Sequence, residues 1–284
     1  MTHLYVSPHL DDAALSCAGG MLRQARSGAR VVVCSVFTRS GSARRDAVRC
    51  GEDRRALEAA GIEPLYLGFM DAPARLGVKP SFEQLVLRAR LDRALVREVE
   101  RAIAEAILRV RPSQVYFPLG VGGHIDHRAV FAARPKRSGA RFYVERPYGF
   151  VPVLRALCGI AMGASSTVLS PDEVLRQFEE GGCGALMLEA ERRRCAEVLA
   201  RRARRMTVAL GSGQGRGFGV ALGAAVTIRR RRYPAELFSE AVRLIDGYTS
   251  QVNWLFGAEG ASPQYHRHVQ ARGGWFEEEA LLLP

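Results

Sequence analysis

The stretch "ARVVVCSVF", residues 29–37, is an apolar run rich in β-branched side chains. Such a run is typical of a β-strand that is covered on both faces, as the strands of parallel sheets are. Upstream, "HLYVS" (3–7) predicts a second short buried strand, and a helix is expected between the two, from about 14 to 27. The order strand, helix, strand favours a parallel sheet.

The alternation continues through the first half of the chain. We expect a helix at 44–60, a strand at 64–69, one long amphipathic helix at 82–109, a strand at 113–119 and the start of a fifth strand within 140–150. This pattern predicts an α/β fold, with a mostly parallel sheet between two layers of helices. Ligands of such folds bind at the carboxyl ends of the strands.

The second half of the chain has a less regular pattern. Helices are expected at 172–180, 188–205 and 234–256, and the glycine-rich segment 211–225 favours a loop or a bulged hairpin. Because no linker or internal repeat interrupts the sequence, we predict a single domain over residues 1–284.

The composition is that of an ordinary globular protein, with 48% hydrophobic and 25% charged residues in 284. No apolar stretch has the length of a membrane span, and the N-terminus has no leader pattern, so a cytoplasmic protein is expected. The six cysteines form no C-x-x-C pair, which argues against a disulfide framework.

The net charge is +12, and residues 192–232 hold twelve arginines against a single acid, Glu197. We interpret this region as a solvated basic face. A basic polyanion-binding protein with a structural metal site is the alternative. A nucleic-acid partner is not expected, because aromatic residues for base stacking are sparse there.

Two polar clusters follow predicted strands. His9, Asp11 and Asp12 come after the first strand, and "GGHIDH" (122–127) follows the fourth. A helix N-cap would account for one of the adjacent aspartates, but not for the histidines. Two ligands close in sequence with a third far away is the usual layout of a catalytic zinc site. We therefore predict a metal site at this edge of the sheet.

"SPHLDDA" (7–13) together with "HIDH" (124–127) resembles the paired signature of the LmbE-like/PIG-L family of zinc-dependent N-acetylglucosaminyl de-N-acetylases. "FYVERPYGF" (142–150) and "GYTSQ" (247–251) resemble later family segments. Leu10 and Ala13 depart from the family pattern, which commonly has proline and glutamate there. The resemblance implies a Rossmann-like three-layer α/β sandwich.

The resemblance also implies roles for individual residues. The implied zinc ligands are His9, Asp12 and His127, with another divalent metal as the alternative. Asp11 is the implied general base, and His124 the implied general acid or oxyanion stabiliser. Asp126 is expected to orient His124 and to keep its imidazole charged.

Arg49, Asp71 and Tyr148 are expected to contact the substrate, since the first two resemble sugar-contacting positions of the family. The alternatives are a surface salt bridge for Arg49 and for Asp71, and simple packing for Tyr148. Residues from about 150 to 284 match the family loosely, so we expect them to specify the substrate.

The function implied is a zinc-dependent hydrolase that removes an N-acetyl or similar N-acyl group from an amino sugar or a metabolite containing one. Natural-product and thiol biosynthesis are both compatible settings. An amidase acting on thiol conjugates is the alternative within the same fold. The sequence leaves open whether the protein is a homo-oligomer.

Overall fold

A computed structural model describes residues 1–135, 139–158, 160, 169–211, 226–258, 260–270 and 275–282. Its strands, in chain order, are β1 (Thr2–Ser7), β2 (Arg30–Arg39), β3 (Glu63–Met70), β4 (Gln114–Pro118), β5 (Arg141–Tyr143), β6 (Val226–Tyr233) and β7 (Trp275–Leu282). They form one sheet in the order β3-β2-β1-β4-β5-β7-β6. The first five strands pair in parallel, and β7 pairs antiparallel with both β5 and β6, so the sheet is mostly parallel as predicted.

The α-helices are α1 (Asp12–Arg26), α2 (Ala43–Ala59), α3 (Ala72–Leu76), α4 (Arg93–Val110), α5 (Ile125–Ala132), α6 (Pro152–Leu157), α7 (Pro171–Glu180), α8 (Arg192–Gly211), α9 (Glu236–Asp246), α10 (Thr249–Phe256) and α11 (Ser262–Tyr265). Glu83–Arg88 and His266–Gln270 are π-helical, and Tyr148–Phe150, Gly184–Leu186 and Glu189–Glu191 are short 3₁₀ turns. Among the described residues, we find no helix with the length and apolar character needed to cross a membrane.

Helices cover both faces of the sheet. Tyr5 and Val33 pack on one face with α1, α9 and α10, whereas Leu4 and Val32 pack on the other with α4 and α5. Alternate residues of the same strand thus enter different cores, which is the pattern of a strand buried on both sides. The three-layer α/β sandwich expected from the sequence is confirmed.

The strand order places the two polar clusters at the same point. β1 lies between β2 and β4, and the chain leaves it in one direction for β2 and β3 and in the other for β4 and β5. A crevice forms at the carboxyl ends of the strands where the order reverses in this way. The segments that follow β1 and β4 therefore lie side by side.

Two long helices expected from the sequence are each broken in the structure. The helix expected at 82–109 is a π-helical turn, Glu83–Arg88, followed by α4, because the Asp92 side chain accepts a hydrogen bond from the Ala94 N–H and starts a new helix. The helix expected at 234–256 is divided into α9 and α10 at Gly247. A Cβ at Gly247 would lie 2.9 Å from the Ala56 Cβ, so glycine allows α2 to approach closely.

The antiparallel pairing of β6 with β7, which α9, α10 and α11 separate in the chain, was not predicted, because the two strands carry charge where a hydrophobic alternation is expected. Its register sets Arg230 opposite Glu278 and Arg231 opposite Glu277. Arg230 forms a salt bridge with Glu278 directly across the pair, and Arg231 forms one diagonally with Glu279, with N–O distances of 3.0 and 2.7 Å. Opposite charges across an antiparallel pair stabilise it, so charge contributes to this pairing. Of the predicted glycine-rich loop, residues 212–225 lie outside the described residues.

Several arginines of the basic region 192–232 are exposed to solvent and also pair with acids. At the start of α8, Arg193 pairs with Asp172 and Arg194 with Glu83. The arginines of β6 meet the glutamates of β7. Acids from distant parts of the chain neutralise much of the local charge, which weakens the case for a polyanion-binding surface.

All six cysteines are free, as expected.

Candidate active site

The predicted metal ligands converge at the crevice. His9 Nδ1 lies 3.0 Å from Asp12 Oδ2, and the same oxygen lies 3.2 Å from His127 Nε2. Asp12 opens α1, whereas His127 lies in the first turn of α5. The three ligand atoms lie within 4.8 Å of one another, close enough to hold one metal ion. The structure thus brings together residues that are more than a hundred positions apart in the sequence.

Each histidine of this set has a second, buried carboxylate behind it. His9 Nε2 lies 3.2 Å from Asp126 Oδ2, and His127 Nδ1 lies 3.4 Å from Glu145 Oε1. Histidines that bind metals commonly donate their other ring N–H to a carboxylate, which fixes the ring and raises its basicity. The outer contacts of both rings therefore suit a metal site.

Glu145 was missed by the sequence analysis, although it lies within the quoted segment "FYVERPYGF". Its side chain is fully buried and accepts hydrogen bonds from the backbone N–H groups of Leu119, Gly120 and Val121, at 3.2, 2.6 and 3.1 Å. These bonds hold the glutamate against the loop that follows β4. No spacing rule marked it, because its partners are backbone groups.

Asp126 contacts His124 through its backbone, and its carboxylate has other partners. Its carboxylate accepts hydrogen bonds from the Ala72 N–H and from Arg75, at 2.8 and 2.7 Å, besides its contact with His9. Its backbone N–H, rather than its carboxylate, donates to Nδ1 of His124, at 3.2 Å. Asp126 thus orients His124 through the first turn of α5.

A second set of ligand atoms, from His9, His124 and Asp126, is also compact enough for a metal. Asp126 is a poor ligand there, because its two oxygens already accept bonds from a guanidinium and a backbone amide. Asp12 instead accepts one backbone bond, from the His9 N–H at 2.8 Å, and faces both imidazoles. The geometry favours the set with Asp12 and His127.

The electrostatics of this set suit a cation. Although burial opposes protonation, bonds to Asp12 and Asp126 raise the pKa of His9 to about 9. Burial is likewise outweighed at His127, where Asp12 and Glu145 raise the pKa to about 10. Without a metal, the cluster gathers protons to balance its carboxylates. A divalent cation would supply that positive charge, so the donors fit such an ion.

Asp11 occupies the N-cap position of α1, but its side chain makes no capping hydrogen bond. The N-cap alternative is therefore wrong for Asp11. Its carboxylate lines the cavity, 3.9 Å from an Arg49 nitrogen. Burial and the neighbouring Asp12 raise its pKa, which makes the carboxylate a better proton acceptor.

Burial lowers the pKa of His124 to about 3, outweighing the nearby Asp126 carboxylate. This shift favours the neutral imidazole over the charged one that was expected. Because the Asp126 N–H donates to Nδ1, that nitrogen carries no proton, and the neutral ring holds its hydrogen on Nε2.

The converging residues line a cavity of about 420 Å³. Eight of the nine predicted site residues lie on its wall: His9, Asp11, Asp12, Arg49, Asp71, His124, His127 and Tyr148. Asp126 is buried behind the wall. Other lining residues were not predicted from the sequence, among them Ser40, Arg45, Val48, Phe82, Leu85, Arg146, Ser250, Gln251 and Trp254. Arg146 lies within the quoted segment 142–150, and Ser250 and Gln251 lie within 247–251, but the resemblance gave these residues no role.

The structure places the three predicted substrate contacts as follows. The Nε atom of Arg49 is buried and has no hydrogen-bond partner among the described residues. Asp71 is buried and caps α3 through the Ala74 N–H at 3.2 Å, so it is not part of a surface salt bridge. Tyr148 packs edge-on against the His127 ring, with 5.5 Å between centroids.

Similarity to known protein sequences covers about half of the chain. Residues 4–136 match the family described as PIG-L: GlcNAc-PI de-N-acetylase. A relative from Streptomyces fradiae, 2'-N-acetylparomamine deacetylase, is 36% identical over 163 residues, which is 51% of this chain and 57% of that protein. The chain thus matches little more than half the length of this curated relative.

Solved structures extend the similarity over the whole chain. A deacetylase–bog complex from the biosynthesis pathway of teicoplanin has a TM-score of 0.62 at 19% identity, covering 100% of this chain and 99% of that one. The zinc-inhibited form of teicoplanin deacetylase Orf2 gives 0.61 at 20% identity, with the same coverage. The A40926 pseudoaglycone deacetylase Dbv21 gives 0.59 at 17%, covering 99% and 96%. At this identity the likeness shows the fold.

Proposed function

We propose, because residues 4–136 match the PIG-L (LmbE-like) family, that this protein is a metal-dependent hydrolase that removes the N-acetyl group from an amino sugar within a natural-product intermediate. The observation that carries the proposal is the convergence of His9, Asp12 and His127 in a cavity. Beside them lies the carboxylate of Asp11, which makes no capping hydrogen bond to α1. The S. fradiae relative and the teicoplanin structures, all named as deacetylases, support this reaction class.

His9, Asp12 and His127 would hold the metal. Two imidazoles and one carboxylate suit Zn²⁺, and other divalent ions accept the same donors. When bound, such an ion lowers the pKa of water and polarises a carbonyl oxygen. Asp126 would keep the His9 ring in place by accepting its outer N–H group, and the Glu145 carboxylate, 3.4 Å from His127 Nδ1, would support the second ring by its charge.

Asp11 is proposed as the general base. Its carboxylate accepts a proton from the attacking water while the water oxygen bonds to the acyl carbon. The Nε2–H of His124 donates a hydrogen bond to the acyl oxygen as negative charge develops there. When the C–N bond breaks, Asp11 returns its proton to the nitrogen, so that acetate and a free amine leave.

Residues 4–136, which match the family, and the residues that follow them are proposed to form one functional domain over residues 1–284. The family match ends at 136, yet Tyr148, Leu186, Gln251 and Trp254 line the same cavity as His9. The metal-binding end therefore comes from the first part, and much of the wall from the second. This division supports the proposal that residues from about 150 onward specify the substrate.

The experiment compares wild-type protein with Asp11→Asn, using acetate release from N-acetylated amino sugars and metal content by mass spectrometry. We expect the variant to keep its metal and to lose activity at least a hundredfold. Arg54→Gln, on the surface of α2, is the control and should behave as wild type. If wild-type protein loaded with Zn²⁺, Fe²⁺ or Co²⁺ releases no acetate, the proposal fails. Faster hydrolysis of an N-acyl thiol conjugate would favour the amidase alternative.

A further inference from the structure

Two large apolar side chains stand exposed at the mouth of the cavity. Val48 on α2 is 49% exposed and Trp254 on α10 is 48% exposed, and both line the cavity wall. An exposed tryptophan at a concave site is costly to solvate and provides a broad flat surface for a ligand. Neither residue touches the predicted metal ligands in the described contacts, so their place at the mouth suggests a different role.

Hydrogen bonds join the two helices, α2 and α10, one helical turn from these side chains. The Glu52 carboxylate accepts hydrogen bonds from the Ser250 N–H and hydroxyl, at 3.1 and 2.6 Å. Val48 precedes Glu52 by four residues, and Trp254 follows Ser250 by four. Residues four apart share a helix face, so Val48 lies on the face of α2 that carries Glu52 and Trp254 on the face of α10 that carries Ser250. Both side chains line the same cavity.

A second bond fixes the same arrangement. The Tyr248 hydroxyl donates to the buried carboxylate of Asp53, at 2.8 Å. With Glu52 and Asp53 both bound to the start of α10, the spacing between α2 and α10 is set before any ligand arrives. A preformed gap between two apolar side chains binds a flat group with little ordering cost.

Apolar side chains line the cavity beyond Val48 and Trp254 as well. Further apolar lining residues are Leu15, Phe82, Leu85, Val86, Leu186 and Leu255. The hydroxyl-bearing face of a sugar makes polar contacts, which Asp71 and Arg49 can provide near the metal site. The remaining apolar wall would be buried favourably by an apolar group that is attached to the sugar.

The charges on the wall argue against a polycationic group. Arg45, Arg49 and Arg146 all line the cavity, and so do Asp11, Asp12 and Asp71. The three aspartates are engaged, since Asp11 lies 3.9 Å from Arg49, Asp12 belongs to the proposed ligand set and Asp71 caps α3. An aglycone carrying several ammonium groups would therefore meet like charges on this wall.

We propose, resting on the deacetylase function above, that Val48 and Trp254 form a clamp for an aromatic aglycone. The preferred substrates are N-acetylglucosaminides that carry a flat apolar group, and polycationic aminocyclitol substrates such as 2'-N-acetylparomamine are disfavoured.

The test compares kcat/KM for a phenyl-type aryl N-acetylglucosaminide, methyl N-acetylglucosaminide and 2'-N-acetylparomamine, measured as released amine. With wild-type protein we expect the aryl compound to exceed the methyl compound at least tenfold. Trp254→Ala should lower this ratio about tenfold, Trp254→Phe should retain most of it, and Val48→Ser should lower it about threefold. Leu108→Ala, at a 74% exposed position of α4 outside the cavity, is the matched control and should leave the ratio unchanged.

The outcomes separate the clamp from the reaction. Equal ratios in wild type and in both clamp variants would overturn the clamp while leaving the deacetylase in place, as would a preference for 2'-N-acetylparomamine. Release of no amine from any of the three compounds would overturn the proposed function itself. If Trp254→Ala does not fold, as judged by circular dichroism, the result with Val48→Ser decides.

Discussion

The Nε2 atom of His9 lies 3.2 Å from Oδ2 of Asp126, a residue 117 positions further along the chain. The same ring presents Nδ1 to Asp12 at 3.0 Å. One imidazole therefore joins the loop after β1 to the first turn of α5. Asp126 is in turn fixed by Arg75 and by the Ala72 N–H, so α3 also supports the arrangement.

The first prediction concerns this outer contact. Asp126→Asn keeps the shape of the side chain but removes the charge that supports His9, so the affinity for Zn²⁺ should fall 10- to 100-fold. Competition with a chromogenic chelator measures it. Glu63→Gln, which removes an exposed carboxylate paired with Arg30, is the control. Unchanged affinity in Asp126→Asn would show that the contact does not support a metal ligand.

The second prediction concerns Gly122, in the loop between β4 and α5. Its φ is +90°, and a Cβ there would lie 2.4 Å from the Tyr148 ring. Gly122→Ala should destabilise the protein by about 2–4 kcal/mol, through backbone strain and displacement of Tyr148. Gly77→Ala is the matched control, since Gly77 has a φ of +63° but open space around it. It should cost about 1 kcal/mol. Urea unfolding measures both, and equal losses would contradict the steric argument.

Much of the fold could be predicted from local pattern. The apolar β-branched run at 29–37 and the helices between strands gave the parallel sheet, because burial on both faces requires continuous apolar residues. The antiparallel pairing of β6 with β7 could not be predicted in this way. Its pairing depends on Arg230 and Arg231 meeting Glu278 and Glu279, and neither strand shows that partnership by itself.

The candidate site likewise has residues that the sequence predicts and contacts that it does not. His9, Asp12 and His127 follow strand ends, where the topology alone brings them together. The position of Asp126 behind His9 and the hold of Glu145 on three backbone N–H groups depend on atomic contacts between distant segments. Trp254 could not be assigned to the cavity either, since nothing in its neighbourhood shows which helix α10 will face.

The third prediction concerns pH. Burial raises the pKa of Asp53 to about 6, although bonds from Tyr66 and Tyr248 oppose the shift. Because the folded protein then binds this proton more tightly than the unfolded chain, Asp53 stabilises the fold at low pH, and that contribution is lost as pH rises through about 6. The free energy of unfolding of wild type minus that of Asp53→Asn should be about 1 kcal/mol larger at pH 5 than at pH 7.5. A difference independent of pH would contradict this.

The fourth prediction concerns Arg49, whose buried Nε atom has no hydrogen-bond partner in the described part of the chain and whose nearest nitrogen lies 3.9 Å from Asp11. Arg49→Gln should raise KM about tenfold, because a substrate contact is lost, and should change kcat less. The arginine charge also lowers the pKa of Asp11 against burial, so its removal should move the acidic limb of the kcat/KM profile to higher pH. Arg49→Lys should restore the limb but not KM, since lysine keeps the charge without the guanidinium. Arg54→Gln is the control, and an unshifted limb with unchanged KM would exclude Arg49 from the site.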